Sequence, residues 1–224
     1  SSDFADVPAG IAGGWDGFRG TPELVQRFDY QDNANPKANE ILDKRGIFYD
    51  KNRSIDITTS VTGTFTTEGW SVYKYTNIRS DGQPGSNTTF PDTDFPMFRL
   101  ADIYLMYAEA VARGGQGGSL ATAVEYVNAL RKRAYGNTSH EVNEAWLTEN
   151  NYRNLLDERC RELYWEGTRR TDLIRYGLFT SADYLWTFKG GVLGGTGVSN
   201  RYNVFPIPTT DLSVNGNLKQ NEGY

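Results

Sequence analysis

Apolar positions recur at helical spacing through the second half of the chain and at no fixed spacing through the first. From Pro96 on, Leu100, Ile103, Tyr104, Tyr107, Ala108 and Val111 share one face of a helix. Gly114-Gly115 ends it. Ser119 then caps a second helix striped by Leu120, Ala123, Val124, Val127 and Leu130, with Arg131, Lys132 and Arg133 in its last turns. Two helices joined by a short glycine linker predict an antiparallel hairpin similar to one tetratricopeptide unit. A lone unit cannot bury both of its faces, so it must pack on something else. After a linker at 136–147 that holds His140 on a solvated surface, Thr148 is read as the cap of a third helix. Tyr152, Leu155, Leu156, Leu163 and Trp165 mark that helix, and Gly167 stops it. Thr168 caps a fourth, Arg169 to Tyr176, closed by Gly177. The remainder reads as loop, with Tyr202 to Pro208 extended by its prolines.

Before residue 95 the signals are local. Glycines at 10, 13, 14, 17 and 20 flank Trp15 and Phe18 in a loop. Thr21-Pro22-Glu23 opens a short helix with Leu24, Val25 and Phe28 on one face. Gly46 to Tyr49, Ile55 to Thr59 and Val72 to Tyr75 are β-branched, aromatic or alternating, and predict two or three short strands. The fold class is therefore mainly α, with long loops and a few short strands. It divides into a loop-rich segment, 1–95, and a helical region, 96–224, within one structural unit.

Composition narrows the chemistry. With 38% hydrophobic and 23% charged residues, the 224-residue chain is ordinary globular material. A net charge of −5 argues against a nucleic-acid partner. No apolar stretch is long enough to span a membrane. A single cysteine, Cys160, and a single histidine, His140, exclude an internal disulfide, a Cys-based zinc site and any site needing two imidazoles. No Asp-rich loop has calcium-loop spacing. Neither a metal nor a cofactor is expected.

The densest charge constellation is Glu158, Glu162 and Glu166, four apart and so on one helix face. Such a row could bind a metal or work as acid and base. Arg161, Arg169, Arg170 and Arg175 lie close in sequence, however, and carboxylates paired with arginine make poor general acids. A structural ion network tying the third and fourth helices is the expectation.

The order of these residues resembles the C-terminal part of the SusD/RagB family, surface glycan-capturing lipoproteins of Bacteroidota. Arg99 to Ala110 is similar to one family helix, and Ala123, Val127-Asn128 and Arg131 to Ala134 to the next. Phe205-Pro206-Ile207-Pro208, Asn215 and Leu218 to Tyr224 resemble its C-terminus, and Gly14-Trp15 through Phe28 its mid-chain segment. Members are about twice as long. The resemblance thus implies the C-terminal part of a longer protein, with a lipid anchor in the preceding part and a place at the surface of the outer membrane. It implies capture of oligosaccharides or similar nutrients, without catalysis, for a TonB-dependent, SusC-like transporter.

Sugar rings offer flat C–H faces to aromatic rings and hydroxyl edges to polar groups, so loop aromatics are the ligand-binding candidates. These are Trp15, Asp16, Phe18 and Arg19, with Trp70 and Tyr73 at the start of a strand. Two other readings stand beside this one. A carbohydrate-active hydrolase would need paired carboxylates, and Asp16, Asp50 and Asp56 lack a spacing that singles them out. The other is a purely structural helical interaction domain.

Overall fold

The computed structural model describes residues 9–12, 18–59 and 67–224. The chain divides into two compact units, Ser1–Arg169 and Arg170–Tyr224. The change of pattern near residue 95 falls inside the first.

The first unit is built on a helical hairpin. Helix α2 (Leu100–Ala112) and helix α3 (Leu120–Tyr135) follow the short helix α1 (Pro22–Val25). The predicted Ser119 cap is in place, its side chain accepting from the Thr122 N–H, and Gly136 closes α3 in the left-handed region at φ 74°. Thr21, by contrast, makes no side-chain cap bond to α1. Alanines let the two helices approach. Ala101, Leu105 and Ala108 of α2 pack with Ala123, Val127 and Leu130 of α3, and with Leu147 and Leu155 from the elements that follow. The stripe tyrosines sit at the rim of this core. Tyr104 and Tyr126 stack at 4.1 Å, and the Tyr107 hydroxyl accepts from the Ser119 N–H.

The predicted third helix is broken. Asn143, not Thr148, caps helix α4 (Glu144–Thr148), and helix α5 runs Arg153–Leu163. Between them Asn150, Asn151 and Tyr152 all have positive φ, at 52°, 55° and 63°. Asparagine visits this region more readily than most residues, and the chain uses the pair to turn between two short helices. His140 is not a free surface residue: its ring stacks on Tyr135 at 3.8 Å.

The strands are shorter than expected. Strand β1 (Phe48–Tyr49) pairs antiparallel with β2 (Ser71–Val72), while among the described residues the Ile55 to Thr59 segment forms no ladder, a single Ser54–Glu68 bridge lying just before it. Beneath them lies an aromatic core of Val25, Phe28, Tyr30, Phe48, Trp70 and Tyr164. Phe28 meets Phe48 at 5.2 Å and Tyr164 at 5.5 Å, both edge-on.

In the second unit helix α6 (Arg169–Arg175), which opens at the boundary, matches its prediction, whereas helix α7 (Thr209–Val214) lies where loop was expected. Its Thr-Thr-Asp-Leu-Ser-Val sequence has weak helix propensity, and two prolines precede it. The Phe205-to-Pro208 run and the C-terminal tail hold each other. Gln220 exchanges two hydrogen bonds with the Ile207 backbone, and Asn221 donates to Phe205 O at 2.7 Å. Lys189 is buried, its ammonium donating to the carbonyls of Leu178, Ser181 and Tyr184.

Candidate functional site

The glutamate row of α5 is a structural clamp, with most of its partners distant in sequence. Glu158, fully buried, receives Arg45 at 2.7 Å, Arg131 at 2.7 Å and Arg161 at 2.6 Å. Glu162 receives Arg45, Arg99 and Arg133. Glu166 receives Arg99 and Lys74. Of the arginines expected from sequence as its partners, Arg161 pairs with the row through Glu158. Arg169 donates to Leu156 O, Arg170 lies 4.2 Å from the Phe205 ring, and Arg175 pairs with Asp172. Burial pushes the Glu158 carboxyl up, but Arg161, Arg45 and Arg131 outweigh it and hold the group well below the usual carboxylate range. Glu162 is held below its ordinary value too: burial raises it, and the bonds from Arg133 and Arg99 overcome that. Carboxylates so firmly ionised cannot supply a proton near neutral pH. Among the described residues no three His, Cys, Asp or Glu side chains gather as a metal site would require, and no helix is long and apolar enough to cross a membrane.

The clamp positions something else. At the end of α5 the last carbonyls, which have no intrahelical partner, need donors. Lys74 donates to Glu162 O and Tyr164 O, and Arg99 donates to Glu162 O. Tyr164 points into the aromatic core, where its hydroxyl donates to Arg45 O and accepts from the Ile47 N–H. Glu166 is gripped by Lys74 and Arg99. Trp165, between these two pinned residues, adopts φ 65°. For a bulky side chain this is a strained conformation, costing about 1–3 kcal/mol, that persists only where the surroundings over-determine it. Its consequence is an indole left 40% exposed, meeting the 82% exposed ring of Phe18 edge-on at 6.0 Å.

The candidates read from sequence are thereby sorted. Phe18 is presented to solvent in this pair. Next to it, Arg19 donates to Glu68 O at 3.1 Å. Trp70 is 3% exposed, between Tyr30 and Phe48, and offers no face to a ligand. Alternation placed it correctly at a strand but could not say which side of the strand is covered. Tyr73 is half-buried, and burial pushes its hydroxyl up. Trp15 and Asp16 lie outside the described residues. Helical spacing alone assigns Trp165 to a helix stripe. The one hint in the sequence is Tyr164-Trp165-Glu166-Gly167, two adjacent aromatics before a glycine, only one of which can face the core.

A helical hairpin packed against α5, whose carboxylate row is locked by basic side chains and which ends at an exposed aromatic pair, defines the scaffold of the first unit. The chain belongs to the SusD family, whose SusD_RagB profile matches residues 56–224. Over 158 residues it is 50% identical to the starch-binding protein SusD of Bacteroides thetaiotaomicron, covering 70% of this chain and 26% of that protein. It is 35% identical over 138 residues to a SusD-like protein of Formosa agariphila, covering 57% of this chain and 24% of that one. The fold is similar to surface glycan-binding protein A from Bacteroides thetaiotaomicron, solved in complex with laminarihexaose. The TM-score there is 0.51 at 28% identity, over 70% of this chain and 31% of that one. The match thus spans about a quarter of the length of the curated relatives.

Proposed function

We propose that this protein captures oligosaccharides at the surface of the outer membrane and hands them unaltered to a TonB-dependent, SusC-like transporter. Phe18 and Trp165 form a stacking platform for the sugar. The observation that carries this reading is the exposed Phe18–Trp165 pair, held in place by a strained backbone and an ion network. Two aromatic rings crossing nearly at right angles (83°) offer one ring face and one edge to the C–H surface of a pyranose. Trp15, Asp16 and Arg19 extend the same stretch of chain, and Tyr73 is retained as a flanking candidate. The relatives named for starch and crystallised with laminarihexaose support the ligand class.

Isothermal titration against a panel of oligosaccharides, with a reducing-sugar assay on the same mixtures, tests it. Saturable heat without new reducing ends supports capture. New reducing ends would sink it in favour of a hydrolase. Silence from the whole panel would leave a purely structural scaffold.

A further inference from the structure

A second aromatic surface lies within the first unit, on the connection between α3 and α5. The chain here is held step by step. Arg131 Nε donates to His140 O at 2.5 Å. Asn128 grips Val142 from both sides: its Nδ2 donates to Val142 O at 3.0 Å, and its Oδ1 accepts from Val142 N–H at 2.8 Å. Asn143 Oδ1 accepts from Trp146 N–H at 3.1 Å, and Asn154 Nδ2 donates to Trp146 O at 3.0 Å. The Arg131 guanidinium lies 5.4 Å from the Trp146 ring centroid, and Arg131 is itself fixed by Glu158. Trp146 is therefore a braced, half-buried indole. Beside it opens a shallow groove of about 380 Å³ lined by Glu141, Val142, Asn143, Trp146 and Glu149.

The volume falls in the range of small-molecule sites, and the lining combines one aromatic wall, one short apolar side chain, the Asn143 amide and two exposed carboxylates. The indole suits the C–H face of a sugar ring. The carboxylates are acceptors only, matching the donor hydroxyls along a ring edge. Their shared negative charge opposes a uronate or a phosphorylated sugar.

We propose that the Trp146 groove is a second carbohydrate subsite, taking one neutral hexose unit and rejecting acidic sugars. It rests on the glycan-binding reading for its ligand class but on different residues.

The test uses the ¹⁵N-labelled 224-residue protein and follows the tryptophan indole N–H signals, the Trp146 signal being assigned with Trp146→Phe. Maltohexaose, laminarihexaose, mannohexaose and an oligogalacturonate of equal length are titrated in turn. The Trp146 signal should shift saturably with at least one neutral hexaose and not with the oligogalacturonate. That shift should survive in a Phe18→Ala/Trp165→Ala variant, which separates this groove from the platform at Phe18. A Glu141→Gln/Glu149→Gln variant changes two exposed side chains and should fold normally by circular dichroism. It should bind the neutral sugar roughly tenfold more weakly, if the two acceptors together match a typical hydrogen-bonding contribution. It should also lose its discrimination against the oligogalacturonate. The proposal is overturned if no neutral hexaose moves the Trp146 signal up to about 10 mM, a concentration that would reveal even millimolar affinity. It is equally overturned if the oligogalacturonate shifts that signal as strongly as the neutral sugars do, or if the double glutamine variant binds like the parent.

Discussion

Trp165 shows how one dihedral converts a helix residue into a surface feature. Tyr164 and Glu166 on either side are committed to the core and to the clamp, so the backbone between them must take up the difference at φ 65°. Trp165→Ala keeps the backbone and removes the ring. It should weaken oligosaccharide binding by about 0.5–1.5 kcal/mol, the usual worth of an aromatic stack, and titration calorimetry would read this as about two- to tenfold. Unchanged affinity in a folded variant would remove Trp165 from the site. Gly46 is constrained by packing instead. A Cβ there would lie 2.2 Å from Ile41 Cδ1, 2.9 Å from Phe28 Cδ1 and 3.0 Å from Phe48 Cε2, all side chains of or against the aromatic core. Gly46→Ala should cost about 1–3 kcal/mol by overpacking, measured as a lower denaturant midpoint at unchanged slope.

At the scale of elements, α5 is the hub, and its glutamates decide how the protein responds to acid. Glu158 and Glu162 both have folded pKa values depressed below their ordinary ones. The sign follows directly. A depressed carboxylate contributes its full stabilisation above the unfolded value of about 4.3, and loses it as pH falls through the folded values below. Melting temperature should therefore hold near neutral pH and drop steeply below about pH 4. Circular-dichroism melts across that range check it, and a flat profile down to about pH 2 would contradict the clamp. Arg45 connects both glutamates and Asp43, at 2.6 to 3.1 Å. Arg45→Met should destabilise by about 3–5 kcal/mol, because it leaves buried carboxylates short of a partner. A normal unfolding midpoint would show that the remaining arginines suffice.

Across the molecule, α2 has more apolar surface than its core uses. Leu105 and Ala108 are buried, whereas Leu100, Ile103 and Met106 on the outer side are exposed, as are Phe90, Phe95, Met97 and Phe98 before the helix. Exposed apolar side chains clustered along one stretch of chain promote association. Ile103→Lys/Met106→Lys should leave the melting temperature nearly unchanged. The same change should reduce concentration-dependent self-association in sedimentation velocity. An equal tendency to associate in the variant would place the sticky surface elsewhere.

Much of this architecture is local and was legible. The stripes of α2 and α3, the Ser119 cap, the glycine stops and the span of α6 depend on residues within a turn or two of each other, where helical spacing and capping act. The ordered motifs from Arg99 to Tyr224 likewise pointed to the family. What the tertiary structure decided is non-local. Arg45 reaches Glu158 across 113 positions and Lys74 reaches Glu166 across 92. Charge spacing along one helix therefore identified the acceptors and the local donor Arg161, but could not name the distant donors Arg45, Lys74, Arg99, Arg131 and Arg133. Whether a tryptophan faces core or solvent depends on which neighbours cover it. Alternation could not place Trp70 under the strands or turn Trp165 outward. The sequence by itself determined α2, α3 and α6 and the family they belong to, but neither the break between α4 and α5 nor α7. The long-range packing of arginines and aromatics decided which rings are left exposed.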